Sequence, residues 1–157
     1  MSKITPFLWL DGQAEEAMNF YVSIFKNSKI LSVNRYGKGA PLPEGTVLTA
    51  SFELDGQRFV ALNGGPMYKF SPAISFVVDC DTQDEVDYYW EKLGKDGKYN
   101  QCAWLDDKFG VTWQIVPRQL GQLLSDPDPA RAGRVMQAMM QMGKIDIAGL
   151  QHAADNT

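Results

Sequence analysis

The chain repeats itself. A shift of 69 residues lays Phe7 on Phe76, Glu16 on Glu85, Ala17 on Val86, Phe20 on Tyr89 and Tyr21 on Trp90. A strand signal followed by a helix signal therefore occurs twice, each time with an aromatic pair late in the helix. Self-similarity of this kind marks two copies of one supersecondary unit, so the fold has to be assembled from a duplicated module.

Each copy can be read in turn. Residues 4–10 read as a buried strand. Asp11 is placed to cap a helix over 13–25, in which Ala14, Ala17, Met18, Tyr21 and Phe25 follow helical spacing. Residues 29–36 read as a second strand and 37–45, with Pro41 and Pro43, as a mobile connection. Strands are expected over 46–54 and 57–63, joined by Asp55-Gly56, a two-residue hairpin signal. Gly64-Gly65-Pro66 ends this half. The second half opens on an apolar strand over 73–79. Thr82-Gln83-Asp84-Glu85 then forms a capping box for a helix ending near Leu93. Residues 102–117 form a hairpin: an apolar strand with Trp104, a polar turn ending at Gly110, and a return through Trp113 and Gln114. Asp106, Asp107 and Lys108 read as a solvated turn. Beyond Pro117 the pattern becomes helical. A short helix is expected over 118–125, a longer one from the Asp128-Pro129 start through Met142, and a final turn or two over 144–154. Met136, Met139, Met140 and Met142 read as core or interface filling.

Composition narrows the chemistry. The chain has 157 residues, 45% hydrophobic and 22% charged, which suits one soluble globular domain with a sizeable core. A net charge of −4 argues against nucleic acid as a partner, because phosphate binding needs clustered Lys and Arg. Residues 1–10 lack signal-peptide architecture and no stretch approaches membrane-spanning length, so no membrane partner is expected. Cys80 and Cys102 have no zinc-ligand spacing, and a reduced, cytoplasmic protein with free thiols is the expectation. The single histidine, His152, lies near the C-terminus. Its isolation removes Ser-His-Asp triads and every multi-histidine metal site. Cys102 has no histidine to activate it and reads as a small buried hydrophobe.

Several segments resemble the PhnB-like branch of the vicinal oxygen chelate superfamily, whose domains often carry the name 3-demethylubiquinone methyltransferase. They are Ile4-Thr5-Pro6-Phe7-Leu8-Trp9, the helix start Ala14-Glu15-Glu16-Ala17-Met18 with Phe20-Tyr21, and Ala61-Leu62-Asn63-Gly64-Gly65-Pro66. Cys80-Asp81-Thr82, the hairpin 102–117 and the tail Arg134-Val135-Met136 to Met142-Gly143-Lys144-Ile145-Asp146-Ile147-Ala148 complete the set. The resemblance implies an α+β fold of two βαβββ-type repeats forming a curved mixed sheet, the glyoxalase/bleomycin resistance/dioxygenase fold, plus C-terminal helices. Repeat one spans about 3–66, repeat two about 72–117, and the helical extension 118–157, within one domain over 1–157. It also implies a homodimer.

The resemblance carries an expectation about metal. Metal-using relatives draw four ligands from the first and last strand of each repeat, positions that map here to Pro6, Ala61, Ser75 and Gln114. Two of these have no side-chain donor atom and two are neutral oxygens, so no metal and no cofactor are expected. In the resembling fold these strands close round a small molecule. Phe7, Trp9, Phe76, Trp104 and Trp113 would supply apolar surface, and Asn63, Ser75 and Gln114 orienting hydrogen bonds. The leading expectation is a PhnB-like protein of unassigned activity that binds a small molecule in a metal-free cleft. The alternative is a metal-independent lyase, isomerase or transferase in the same cleft. A third reading makes the Met-rich tail an interaction surface. Methyl transfer from S-adenosylmethionine fits poorly, since Leu10-Asp11-Gly12 is no glycine-rich phosphate loop, and Gly64-Gly65-Pro66 precedes no helix.

Overall fold

The computed structural model describes residues 2–156 and divides into two compact units, the first ending at Phe70 and the second beginning at Ser71. The first unit runs β1 (Phe7–Leu10), α1 (Ala14–Ile24), β2 (Ser28–Arg35), β3 (Val47–Leu54) and β4 (Gln57–Asn63). Its sheet has the order β1-β4-β3-β2, with β1 parallel to β4 and the other pairs antiparallel. Alternation along β3 and β4 puts Ala50, Phe52, Phe59 and Ala61 on one face, all buried. Helix α1 lies on that face: Tyr21 stacks on Phe52 at 6.0 Å and Phe52 on Phe59 at 5.6 Å. The β3–β4 turn is the expected Asp55-Gly56, with φ of 48° and 83°. Two positive φ values in a row match the right-handed twist of the flanking strands.

Asp11 does not cap α1, in contrast to the expectation. The cap residue is Gln13, which makes no side-chain cap bond. The Asn63 Oδ1 accepts from the Ala14 N–H at 2.9 Å instead, while its Nδ2 donates to the Val47 carbonyl at 3.0 Å. A residue at the end of β4 thus satisfies one of the orphan donors at the helix start.

The second unit repeats the plan with β5 (Phe76–Cys80), α2 (Gln83–Gly94), β6 (Lys98–Tyr99), β7 (Trp104–Asp106) and β8 (Thr112–Pro117). Its order is β5-β8-β7-β6, again with one parallel pair, β5 and β8. Both units are therefore βαβββ modules of identical topology. Thr82 caps α2 as expected, its Oγ1 accepting from the Glu85 N–H at 3.2 Å, and Glu85 Oε1 accepts from the Asp81 N–H at 3.0 Å. Strand β5 starts at Phe76, later than the apolar run suggests. The two-residue β6 carries no periodic signal.

The repeat contains a slip. Buried Leu8 and Leu10 in β1 correspond to buried Val78 and Cys80 in β5, a shift of 70, whereas α1 and α2 begin at Ala14 and Gln83, a shift of 69. The first strand–helix connection, Asp11-Gly12-Gln13, is one residue longer than Asp81-Thr82. A one-residue slip in a strand reverses every side chain. Phe7 is accordingly exposed, and Phe76 packs on Trp113 with ring centroids 5.4 Å apart.

Past β8 come α3 (Arg118–Leu124), α4 (Pro129–Met140) and α5 (Ile147–Asp155). They enclose an apolar cluster of Leu120, Val135, Ile145, Leu150 and Ala154 that also takes in Ala103. Asp128 caps α4 through the Ala130 N–H at 3.0 Å. Arg131 bridges Asp126 and Asp155, each at 3.0 Å, and Arg134 donates to the Ala153 and Ala154 carbonyls at the C-terminal end of α5. Met139 and Met142 pack against the cluster, whereas Met136 and Met140 are exposed.

Candidate functional site

The second sheet gathers the polar candidates on one face. Register pairs Gln114 with Trp104 on one side and Val77 on the other, so all three share a face. Ser75 precedes β5 on the same side, and the Gln114 Nε2 donates to its Oγ at 2.9 Å. Asp106 and Thr112 are also paired here, the Thr112 hydroxyl donating to the Asp106 carboxylate at 2.7 Å. Trp104, Ser75 and Gln114 are all half-buried, and Val77 is exposed. Three of the sequence candidates, Trp104, Ser75 and Gln114, therefore stand together.

Trp113 faces the other way. It is buried, and its indole N–H donates to Asp107 Oδ2 at 2.9 Å. Asp107 itself is only 3% exposed, which corrects the reading of 106–108 as a solvated turn. Its Oδ1 accepts from the Phe109 and Val111 N–H groups at 2.9 and 3.1 Å. One carboxylate thus ties the hairpin turn to the aromatic core. The inward direction of Trp113 explains the burial, since a buried indole N–H needs an acceptor.

The first unit holds the remaining candidates. Phe7 and Trp9 lie opposite the α1 face, in register with Val60 and Leu62. Trp9 is fixed by its N–H to the Gly65 carbonyl at 2.9 Å and by edge contact with Tyr68 at 4.9 Å. A Cβ at Gly64 would meet the Trp9 ring at 2.3 Å, so glycine is needed there for the indole to lie flat. Tyr68, exposed beside Trp9, went unnoticed in the sequence. Asn63 is directed to the start of α1, and Ala61 lies under that helix on the same face.

The slip also relocates the metal positions. Register pairs Leu8 with Ala61 and Val78 with Ile115, so Val60 corresponds to Gln114, and Thr5, three before Leu8, to Ser75, three before Val78. Thr5 and Val60 therefore replace Pro6 and Ala61 as the counterparts of Ser75 and Gln114. Neither pair, Thr5 with Val60 in the first unit or Ser75 with Gln114 in the second, contains an imidazole or a carboxylate, and neither suits a divalent cation. Among the described residues no group of three or more His, Cys, Asp and Glu is placed to hold a metal ion.

Shifted ionisation occurs away from this face. Burial pushes the Cys80 thiol up to about 12, with Glu85, Asp79 and Asp81 adding to the effect. Asp87 lies below the usual carboxylate range through hydrogen bonds from Gln83 and Lys144. Asp126 is lowered by the Asp128 N–H and Arg131, and Asp155 by Gln151 and Arg131.

Two βαβββ modules of this strand order define a glyoxalase/bleomycin-resistance fold of the vicinal oxygen chelate superfamily. A family model described as 3-demethylubiquinone-9 3-methyltransferase matches residues 2–116, and the chain belongs to that PhnB-like family. A PhnB protein from Bacillus cereus, carrying the same methyltransferase label, is 41% identical with a TM-score of 0.68. The match covers 74% of this chain and 99% of that one. The Pseudomonas aeruginosa protein PA1353 shares the fold at 18% identity and a TM-score of 0.62, over 74% of this chain and 98% of its own. So does the fosfomycin resistance protein FosX of Listeria monocytogenes, a complex with Mn(II) and sulfate, at 12% identity and a TM-score of 0.51. That match covers 74% of this chain and 90% of FosX. No curated protein matches the chain. No helix among the described residues is long and apolar enough to cross a membrane.

Proposed function

We propose that this chain binds a small organic molecule without a divalent metal, on the face that carries Trp104, Ser75 and Gln114. The observation that carries this reading is the 2.9 Å hydrogen bond from Gln114 to Ser75. Two neutral side chains satisfy each other where metal-using relatives place ligands. Trp104 offers an apolar surface for stacking, and the Ser75 hydroxyl and Gln114 carbonyl retain hydrogen-bonding capacity toward a ligand. Phe7 and Trp9 supply comparable apolar surface in the first repeat. Asn63 and Trp113 are engaged within the fold and take no part.

Binding is favoured over turnover because the shifted groups Cys80, Asp87, Asp126 and Asp155 lie away from this face. The lowered carboxylates Asp87, Asp126 and Asp155 are partnered with Lys144 and Arg131. Methyl transfer of the usual kind is disfavoured by two mixed four-stranded sheets, which offer no doubly wound crevice for S-adenosylmethionine. Native mass spectrometry of protein purified without chelator tests the reading. A co-purified organic molecule that is lost in Gln114→Ala is expected. Near-stoichiometric zinc, nickel, manganese or iron in the same preparation overturns it.

A further inference from the structure

Residues past 116 lie outside the family model, yet they reach back to the candidate face. The contact point is a backbone irregularity just before Trp104. Cys102 and Ala103 have φ of 58° and 79°, two consecutive non-glycine residues in the left-handed region. Such a conformation is unfavourable for L-residues and persists only where the surroundings over-determine it. Here the surroundings are the extension. The Cys102 N–H donates to the Met142 carbonyl at 2.8 Å and the Ala103 N–H to the Gly143 carbonyl at 2.9 Å. The Ala103 methyl is buried among Leu120, Val135, Ile145, Leu150 and Ala154.

The segment that supplies these carbonyls is itself anchored. Lys144 pairs with Asp87 at 3.0 Å on α2. The Gln83 side chain donates to the Ile145 carbonyl at 2.9 Å and accepts from the Ile147 N–H at 2.8 Å. The approach is close, since a Cβ at Gly143 would stand 3.3 Å from the Asn100 carbonyl oxygen. On the other side of the irregularity, the Ala103 carbonyl accepts from the Ile115 N–H at 2.9 Å, and Trp104 then enters register with Gln114.

We infer that the Met142–Gly143 turn is a backbone clamp that holds Cys102 and Ala103 in the left-handed conformation and thereby positions Trp104 beside Gln114. Met142 and Gly143 are positioning residues. The extension completes the second sheet's candidate face from behind. The clamp is a property of the fold and holds whether or not Trp104 meets a ligand.

Nitrogen-15 NMR of the full chain tests it. In Gly143→Val, amide exchange at Cys102 and Ala103 is expected to rise about tenfold, with amides of α1 unchanged. The Trp104 indole resonance, assigned by its loss in Trp104→Phe, is expected to shift in the same variant. Adding Cys102→Gly, which removes the left-handed penalty at that one of the two positions, is expected to bring the Trp104 resonance back toward its wild-type position. Wild-type exchange at both amides together with an unmoved Trp104 resonance in Gly143→Val overturns the clamp. Should Gly143→Val fail to fold, the single variants Cys102→Gly and Cys102→Ala decide. The glycine variant is expected to unfold at the higher denaturant concentration, and equal or reversed midpoints overturn the inference.

Discussion

The two repeats share a topology and differ in what the polar side chain of the last strand does. In the first, Asn63 turns to the helix and holds the start of α1. In the second, α2 is capped locally by Thr82, and Gln114 is left to face Ser75 away from the core. The connection between β1 and α1 is one residue longer, and its last residue, Gln13, makes no side-chain cap bond. A polar residue of a last strand can therefore be part of the scaffold in one repeat, while a polar residue at a different position of the other's last strand is left facing away from the core.

The comparison is sharpest at the hairpin of the second repeat. Asp107→Ala leaves an indole N–H and two backbone N–H groups without their acceptor, and should cost about 3–5 kcal/mol in equilibrium urea unfolding. A loss below about 1 kcal/mol would show that the turn is solvated after all. In the first repeat, the corresponding test of close packing is Gly64→Ala. Its methyl would overlap the Trp9 ring, with an expected loss of about 2–3 kcal/mol and a shifted Trp9 indole resonance.

The asymmetry between Asn63 and Gln114 can be measured directly. Asn63→Ala removes both the helix-start bond and the bond to the Val47 carbonyl, and should cost about 2 kcal/mol. Gln114→Ala removes one half-buried bond to Ser75 and should cost about 0.5 kcal/mol. Equal losses at the two positions would break the contrast, since Gln114 would then be scaffold as well.

The smallest effect expected is acid sensitivity of the helical extension and of its anchor on α2. Asp87, Asp126 and Asp155 are lowered in the folded state, so their contribution is complete above the unfolded carboxylate value near ~4. It is lost as pH falls through their folded values, because protonation then releases Lys144 and Arg131. Amide exchange followed from pH 5 to pH 3, corrected for intrinsic rates, should show α4 and α5 loosening before β3 and β4. Simultaneous loosening of both units would remove the distinction.

Much of this was legible in the sequence, for physical reasons that differ by element. Asp55-Gly56 and the Thr82 capping box are local chemistry, and the structure reproduces both. The duplicated strand–helix order came from periodicity that tertiary packing preserves. Face assignment was less secure, because alternation has a period of two and the repeat has a one-residue slip. Ala61 therefore reads as the twin of Gln114 until strand register shows that Val60 is. Asp107 looked solvated because an Asp-Asp-Lys run in a turn usually is. Only the inward direction of Trp113, a tertiary fact, shows otherwise. The left-handed pair at Cys102 and Ala103 has no local signal, since neither residue favours that conformation and the residues holding it lie some forty positions further along.

One consequence concerns reactivity. Cys80 lies fully buried in β5 with a thiol pushed up to about 12, so near neutral pH it presents almost no thiolate to an alkylating reagent. Cys102 is the half-exposed one of the pair. A maleimide fluorophore should therefore attach at a single position, two residues before Trp104. On the proposed reading of the face that carries Trp104, such a label would turn the chain into an optical sensor of binding beside Gln114.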